Sequence, residues 1–296
     1  MSLDMEKLAN IISDKLPADE AQQVLNFVDQ YYLSSSPDDF DEKNLLDLYG
    51  ALMSIWHFAA KRQPAESKIR IYNPSQEQNG WQSGHTVIEI VHESKPFILD
   101  TVRLALNRLE INIHQMLYVD KIIFDRDANG VLKSVLPINT KGKHVTEAVM
   151  QIEIDKQSDH EVIKKIIDNM ERSLLDVDLM VRDWPKMLNS LADTISRLEA
   201  SKNSDNGSDL AEIILFLRWV KNNNFTFIGS AEYEFEPDKK GGGALKYIDD
   251  SGLGVLSNGR IYKTIRDLNH MYPDAKRMIL SDEVMLVGKT DTLATV

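Results

Sequence analysis

The chain contains no cysteine among its 296 residues, which excludes disulfides, thiolate metal sites and a cysteine nucleophile and fits a reducing, cytoplasmic setting. Positive charge is in deficit, with 34 Lys and Arg against 46 Asp and Glu and a formal net charge of −12. A nucleic-acid surface needs clustered Lys and Arg, and the dense basic spots, Lys141 to Lys143 and Lys239-Lys240, are too short to supply one. No apolar run approaches the ~20 residues of a membrane-spanning helix, and the N-terminus turns polar and acidic too early for a secretory signal. The expectation is a protein without nucleic-acid or membrane partners.

Nucleotide-binding loops are missing as well. Gly241-Gly242-Gly243 lacks the Lys-Ser/Thr that would hold phosphate and metal. Gly252-Leu253-Gly254-Val255-Leu256-Ser257-Asn258-Gly259 misses the dinucleotide spacing and does not stand between a strand and a helix. In Gly80-Trp81-Gln82-Ser83-Gly84 the serine is one place late for a nucleophile elbow. The seven histidines show no i,i+4 pair, so the sequence offers no metal ligands, no cofactor-binding residues and no catalytic residues.

What is present is a run from His85 to His114 around which the chain is organised. Thr86, Ile88 and Ile90 alternate with Val87, Glu89 and Val91 as in a strand. From Pro96, expected at the first helical position, the period becomes helical, with Ile98, Val102, Leu106 and Leu109 on one stripe. It returns to two at Ile111-Asn112-Ile113, giving strand, helix and strand with short joints.

Around this run the chain reads in order. Residues 1–62 carry helical stripes, Leu8, Ile11, Ile12 and Leu16, then Ala21, Val24, Leu25 and Val28, then Leu45 to Ala59, and are expected to form a small bundle. Ser34 to Asp39 breaks the second stripe from the third, and the polar stretch 63–84, with only a short strand candidate at Ile69-Arg70-Ile71-Tyr72, reads as a joint. Residues 80–205 continue with a strand to Phe124, an Asn129-Gly130 turn, a return strand Val131 to Val135, a strand Glu147 to Ile154 with one apolar face, and a long helix. Strands 131–135 and 147–154 are expected at the sheet edges, where unpaired backbone groups invite pairing. Residues 206–296, after a break at Lys202 to Gly207, read as a second, smaller α+β unit closed by Met278 to Leu280 and Val284 to Val287. The fold class is α+β, and the order strand, helix, strand, strand, strand, helix is close to a βαββαβ, ferredoxin-like sandwich.

Pro96-Phe97-Ile98-Leu99-Asp100-Thr101-Val102-Arg103, then Leu106, Arg108, Ile113, His114, Arg126-Asp127 and Gly130, resemble the N-terminal region of the large bacterial NAD-specific glutamate dehydrogenases. Asp183-Trp184, closing a long helix, Phe216-Leu217-Arg218-Trp219, Asn224 to Gly229, Tyr233 and Gly252 to Leu256 extend the resemblance in the family's order over roughly residues 85 to 256. It implies ACT-like regulatory modules with the βαββαβ topology. It also implies a parent enzyme that uses NAD to convert glutamate to 2-oxoglutarate and ammonia, with this chain as its N-terminal regulatory and assembly segment, itself without cofactor and inactive. The partners implied are the catalytic domain of the same parent chain and a second copy in a homo-oligomer. A free-standing ACT-like sensor of small molecules is the alternative.

In ACT-type modules the loop from first strand to first helix meets small effectors, and here that loop with the helix behind it places Glu93, Ser94, Lys95, Pro96, Asp100 and Arg103. Helix-start N–H groups attract a carboxylate. Effector-binding members usually carry a glycine there, where this chain has Pro96-Phe97, and Glu93 would repel an acidic effector, so a structural or subunit-contact role stands beside effector binding.

Overall fold

The computed structural model describes residues 3–32, 44–142, 144–200, 207–237, 243–258 and 264–265. The expected break at Ser34 to Asp39, residues 202–206 of the break at Lys202 to Gly207, the basic pair Lys239-Lys240 and the closing strands from Met278 lie outside these residues. The chain is α+β and divides into two compact units, Met1–Leu175 and Asp176–Thr295.

Three helices open the first unit: α1 (Leu3–Lys15), α2 (Ala18–Tyr31) and α3 (Leu45–Ala59). Asn44 starts α3 by accepting the Leu46 N–H on its side chain at 3.1 Å. There follow β1 (Lys68–Tyr72), a short turn of helix α4 (Gln76–Asn79), β2 (Thr86–Glu93), α5 (Ile98–Asn107), β3 (Ile113–Arg126), β4 (Leu132–Leu136) and β5 (Thr146–Ile154). The strands form one antiparallel sheet in the order β1-β2-β5-β3-β4.

This order changes two sequence expectations. Residues 63–84 carry β1, which pairs with β2 from Lys68 opposite Val91 to Tyr72 opposite Val87 and so is an edge of the sheet rather than part of a joint. β5 is no edge, because it lies between β2 and β3. The other edge, β4, is occupied from outside: Gln23 Oε1 accepts the Val135 N–H at 2.8 Å, Ala60 O accepts the Leu132 N–H at 2.8 Å, and Gln30 Nε2 donates to Leu136 O at 3.2 Å.

Both faces of the sheet are buried. Val91, Leu117, Val119, Ile122, Phe124, Val135 and Val149 join Phe27, Tyr31, Leu52, Ile55 and Trp56 of the helices in one core. On the opposite face Ile88, Ile90, Met150, Ile152 and Ile154 are as buried, and α5 (Ile98, Val102, Ala105, Leu106) and the following helix (Ile166, Met170, Leu174) carry buried apolar stripes. The polar side of β5 is consequently not the solvent face that its pattern suggested, since Glu147, Gln151 and Glu153 are all buried.

α6 (His160–Ala200) runs through Asp183-Trp184 and Pro185 instead of closing there. In the second unit α7 (Gly207–Trp219) leads into a helical turn, Val220–Asn224, that Asn223 ends with a left-handed φ of 59°. Ile214, Leu217 and Val220 bury against Leu191 and Ile195. Two small sheets follow, one pairing β6 (Gly229–Ser230) with β9 (Leu253–Gly254), the other ordered β10-β8-β7 from β7 (Tyr233–Pro237), β8 (Gly243–Tyr247) and β10 (Thr264–Ile265). The first strand after α7 begins at Gly229.

Candidate functional site

The strand-to-helix loop puts its side chains to structural use. α5 begins at Ile98, two residues later than expected of Pro96, and Phe97 stands at its N-cap with a left-handed φ of 71° and no side-chain cap. That conformation suits glycine and costs an ordinary residue about 1–2 kcal/mol, so the backbone at this point keeps a glycine-like shape although the residue is bulky. Lys95 pairs with Glu93 at 3.2 Å. The Ser94 N–H donates to Thr146 O at 2.8 Å and its hydroxyl to Asp120 Oδ1 at 3.2 Å. Tyr118 donates to the same Asp120 oxygen at 3.0 Å, and burial together with the charges of Asp120 and Asp100 pushes its hydroxyl well above the usual tyrosine range. Pro96, Asp100 and Arg103 are exposed. The structure therefore gathers Glu93, Ser94 and Lys95 with Asp120 and Tyr118, which the sequence did not nominate, while Arg103 has no described role in the group.

A second cluster lies at the β3–β4 turn. Glu147, 2% exposed, receives Arg126 through two hydrogen bonds, Nε to Oε1 at 2.7 Å and an amino nitrogen to Oε2 at 2.8 Å, and Arg62 Nε lies 2.9 Å from Oε2 as a further ion pair. Arg126 also donates to Ala59 O at 2.8 Å and Gly130 O at 3.0 Å, tying the end of α3 to the turn. Asp127 accepts the Val131 and Asn129 N–H groups, which hold its carboxyl below the usual range. Gly130 has φ 75°, and a Cβ there would meet Arg62 O at 2.2 Å. Deeper along the same face, fully buried Glu89 takes Arg70 as an ion pair, the Tyr72 hydroxyl at 3.1 Å and Gln151 Nε2 at 3.1 Å.

In the second unit Asp183 is a clamp. It is 1% exposed, takes Arg182 in a two-pronged pair at 3.0 and 2.6 Å, and accepts the Gly254 N–H at 3.0 Å. Arg182 holds its carboxyl down to about 2. Gly254 has φ 60°, and a Cβ there would lie 2.3 Å from Ile228 O, while Trp184 packs on Phe227 with ring centroids 5.7 Å apart. Residues far apart in sequence are thus one contact set. None of these clusters presents a nucleophile with a base, and among the described residues no group of three or more His, Asp or Glu is placed to hold a metal. No described helix is long and apolar enough to cross a membrane.

Residues 27–170 match the family described as glutamate dehydrogenase, ACT1 domain. The match falls within the first unit, whose helices and antiparallel sheet are of the α+β class. The chain is 32% identical over 253 residues to the NAD-specific glutamate dehydrogenase of Halomonas elongata, covering 85% of this chain and 16% of that protein. It is 32% identical over 250 residues to the NAD-specific glutamate dehydrogenase of Pseudomonas aeruginosa, covering 84% of this chain and 15% of that protein. The chain is a relative of the NAD-specific glutamate dehydrogenases and spans about a sixth of the length of these two.

Proposed function

We propose that this chain is the N-terminal regulatory and assembly segment of an NAD-specific glutamate dehydrogenase, and that its parent oxidatively deaminates glutamate with NAD. The observation that carries the reading is the fate of the landmark residues. Arg126 and Gly130 close on Glu147 and Arg62, Asp127 caps the turn through the Asn129 and Val131 N–H groups, and Asp183, Trp184, Phe227 and Gly254 close on one another, as frame-building contacts and not as reaction chemistry. A chain with these landmarks that uses them to brace its own fold suits a segment serving a catalytic part elsewhere.

Within this reading the first unit is an ACT-type sandwich with a changed edge. β2, α5, β3 and β5 keep the split connection, with β5 between β2 and β3, and β1 takes the place beside β2 that the last strand of a βαββαβ unit would occupy. Helices α1 to α3 cover one face of the sheet, and the apolar residues of the other face, Ile88, Ile90, Met150, Ile152 and Ile154, are buried as well. The edge left for assembly into a homo-oligomer is β1. Its charges face inward, Lys68 Nζ donating to Phe58 O at 2.6 Å and Lys61 O at 2.7 Å and Arg70 pairing with Glu89, so they do not guard the edge, and half-buried Ile69 and Ile71 lie on its other side. The loop at Glu93, Ser94 and Lys95 serves this frame as a joint, its polar groups engaged by Asp120, Thr146 and one another.

The test is the product of the gene's full reading frame, made with and without residues 1–175. Loss of assembly or of effector response with glutamate-dependent NAD reduction retained supports the reading, and unchanged assembly and response contradicts it.

A further inference from the structure

Phe216, Trp219 and Phe225 are 46%, 50% and 44% exposed, and Leu215 beside them is 66% exposed. They form an ordered platform. Phe216 stacks on Trp219 with centroids 6.1 Å apart, Trp219 meets Phe225 edge-on at 5.9 Å, and Asn224 Nδ2 donates to Trp219 O at 2.8 Å, fixing the chain where Asn223 turns it back. The opposite side of α7 is already buried through Ile214, Leu217 and Val220. A helix apolar on both sides belongs in an interior, and clustered Trp and Phe inside a polar rim are the usual core of an interface. The rim here holds Lys221 and the Arg218–Glu199 pair at 2.5 Å.

We propose that this platform docks the polypeptide that lies beyond this stretch in the same chain, presenting an aliphatic surface with acidic groups toward Lys221. The inference rests on the reading of the chain as a segment of a longer enzyme. The relatives are more than five times its length, which supplies the covering surface in cis. A second copy of this stretch is the poorer occupant, because two chains of net charge −12 repel and each would bring the basic rim of Lys221 to its twin.

The test is hydroxyl-radical footprinting of Phe216 and Trp219 in the 296-residue chain and in the full reading-frame product. Ready modification in the former and a several-fold drop in the latter is the expected result. Equal modification in both overturns the inference and leaves the parent reading standing. Protection in the 296-residue chain that grows with its concentration assigns the platform to a second copy and also overturns it. A frame that stops after Val296 removes the occupant and overturns both. In the long product, the Phe216→Ser, Trp219→Ser double variant should raise hydrogen exchange in a segment outside residues 1–296 while the 296-residue variant keeps its helical circular dichroism. Unchanged exchange everywhere outside this stretch counts against the docking.

Discussion

Gly254 and Asp183 illustrate how much a single position decides in the second unit. At Gly254 a methyl group would meet both a left-handed backbone and a carbonyl oxygen 2.3 Å away, so Gly254→Ala is expected to cost more than the about 1–2 kcal/mol of the backbone term alone. Faster hydrogen exchange across residues 225–256 would register it, and unchanged exchange would contradict the clamp. Asp183 carries a pH signature, since its carboxyl is held at about 2 against an ordinary value of 3.8. A depressed acid stabilises the folded state fully above the unfolded value and loses that contribution as pH falls from about 4 toward 2. Asp183→Asn should therefore destabilise the unit near neutral pH, by about 1–3 kcal/mol for a buried hydrogen-bonded charge, and flatten its loss of stability over that acid interval. Denaturant melts at pH 7 and pH 3 check the sign.

At the scale of elements, the run from Thr86 to Ile113 was legible because its period changes from two to helical and back within short joints, and the Asn129-Gly130 turn because Gly130 takes positive φ, here 75°. The place of β1 was not legible. Five residues in a polar stretch carry no local sign of the partner they will find at Val87 to Val91. Nor was the burial of Glu89, Glu147 and Gln151, because an alternating pattern does not say whether its polar face will be covered, and here helices α1 to α3 cover it. At the candidate loop the sequence named Glu93, Ser94 and Lys95, which the structure brings together, and Pro96, Asp100 and Arg103, which it leaves exposed, and it did not name Asp120 and Tyr118, which arrive from β3 through pairing that no local pattern encodes. Two substitutions test these elements. Glu147→Gln leaves Arg62 and Arg126 without their counter-charge in a buried site and should cost about 3–5 kcal/mol. Val102→Asp places a charge on the α5 stripe where the side chain is 1% exposed and should unfold the first unit, as several kcal/mol is of the order of a domain's stability. A folded, monodisperse Val102→Asp protein by sedimentation and circular dichroism would mean that the stripe does not face a core.

At the scale of the whole molecule, the sheet has one face under its own helices, one edge occupied by Gln23, Gln30 and Ala60, and one edge, β1, with no further strand paired to it among the described residues. Association of copies, if it runs through that edge, should weaken in Ile71→Lys with secondary structure unchanged, which sedimentation equilibrium reads directly. The central claim is that this stretch regulates and assembles an NAD-specific glutamate dehydrogenase without performing the reaction. Its most direct test is glutamate-dependent reduction of NAD, followed by NADH absorbance, for the purified 296-residue chain beside the product of the full reading frame. Turnover by the long product and none above blank by the 296-residue chain is the predicted result, and turnover by the 296-residue chain, or none by the long product, would contradict it.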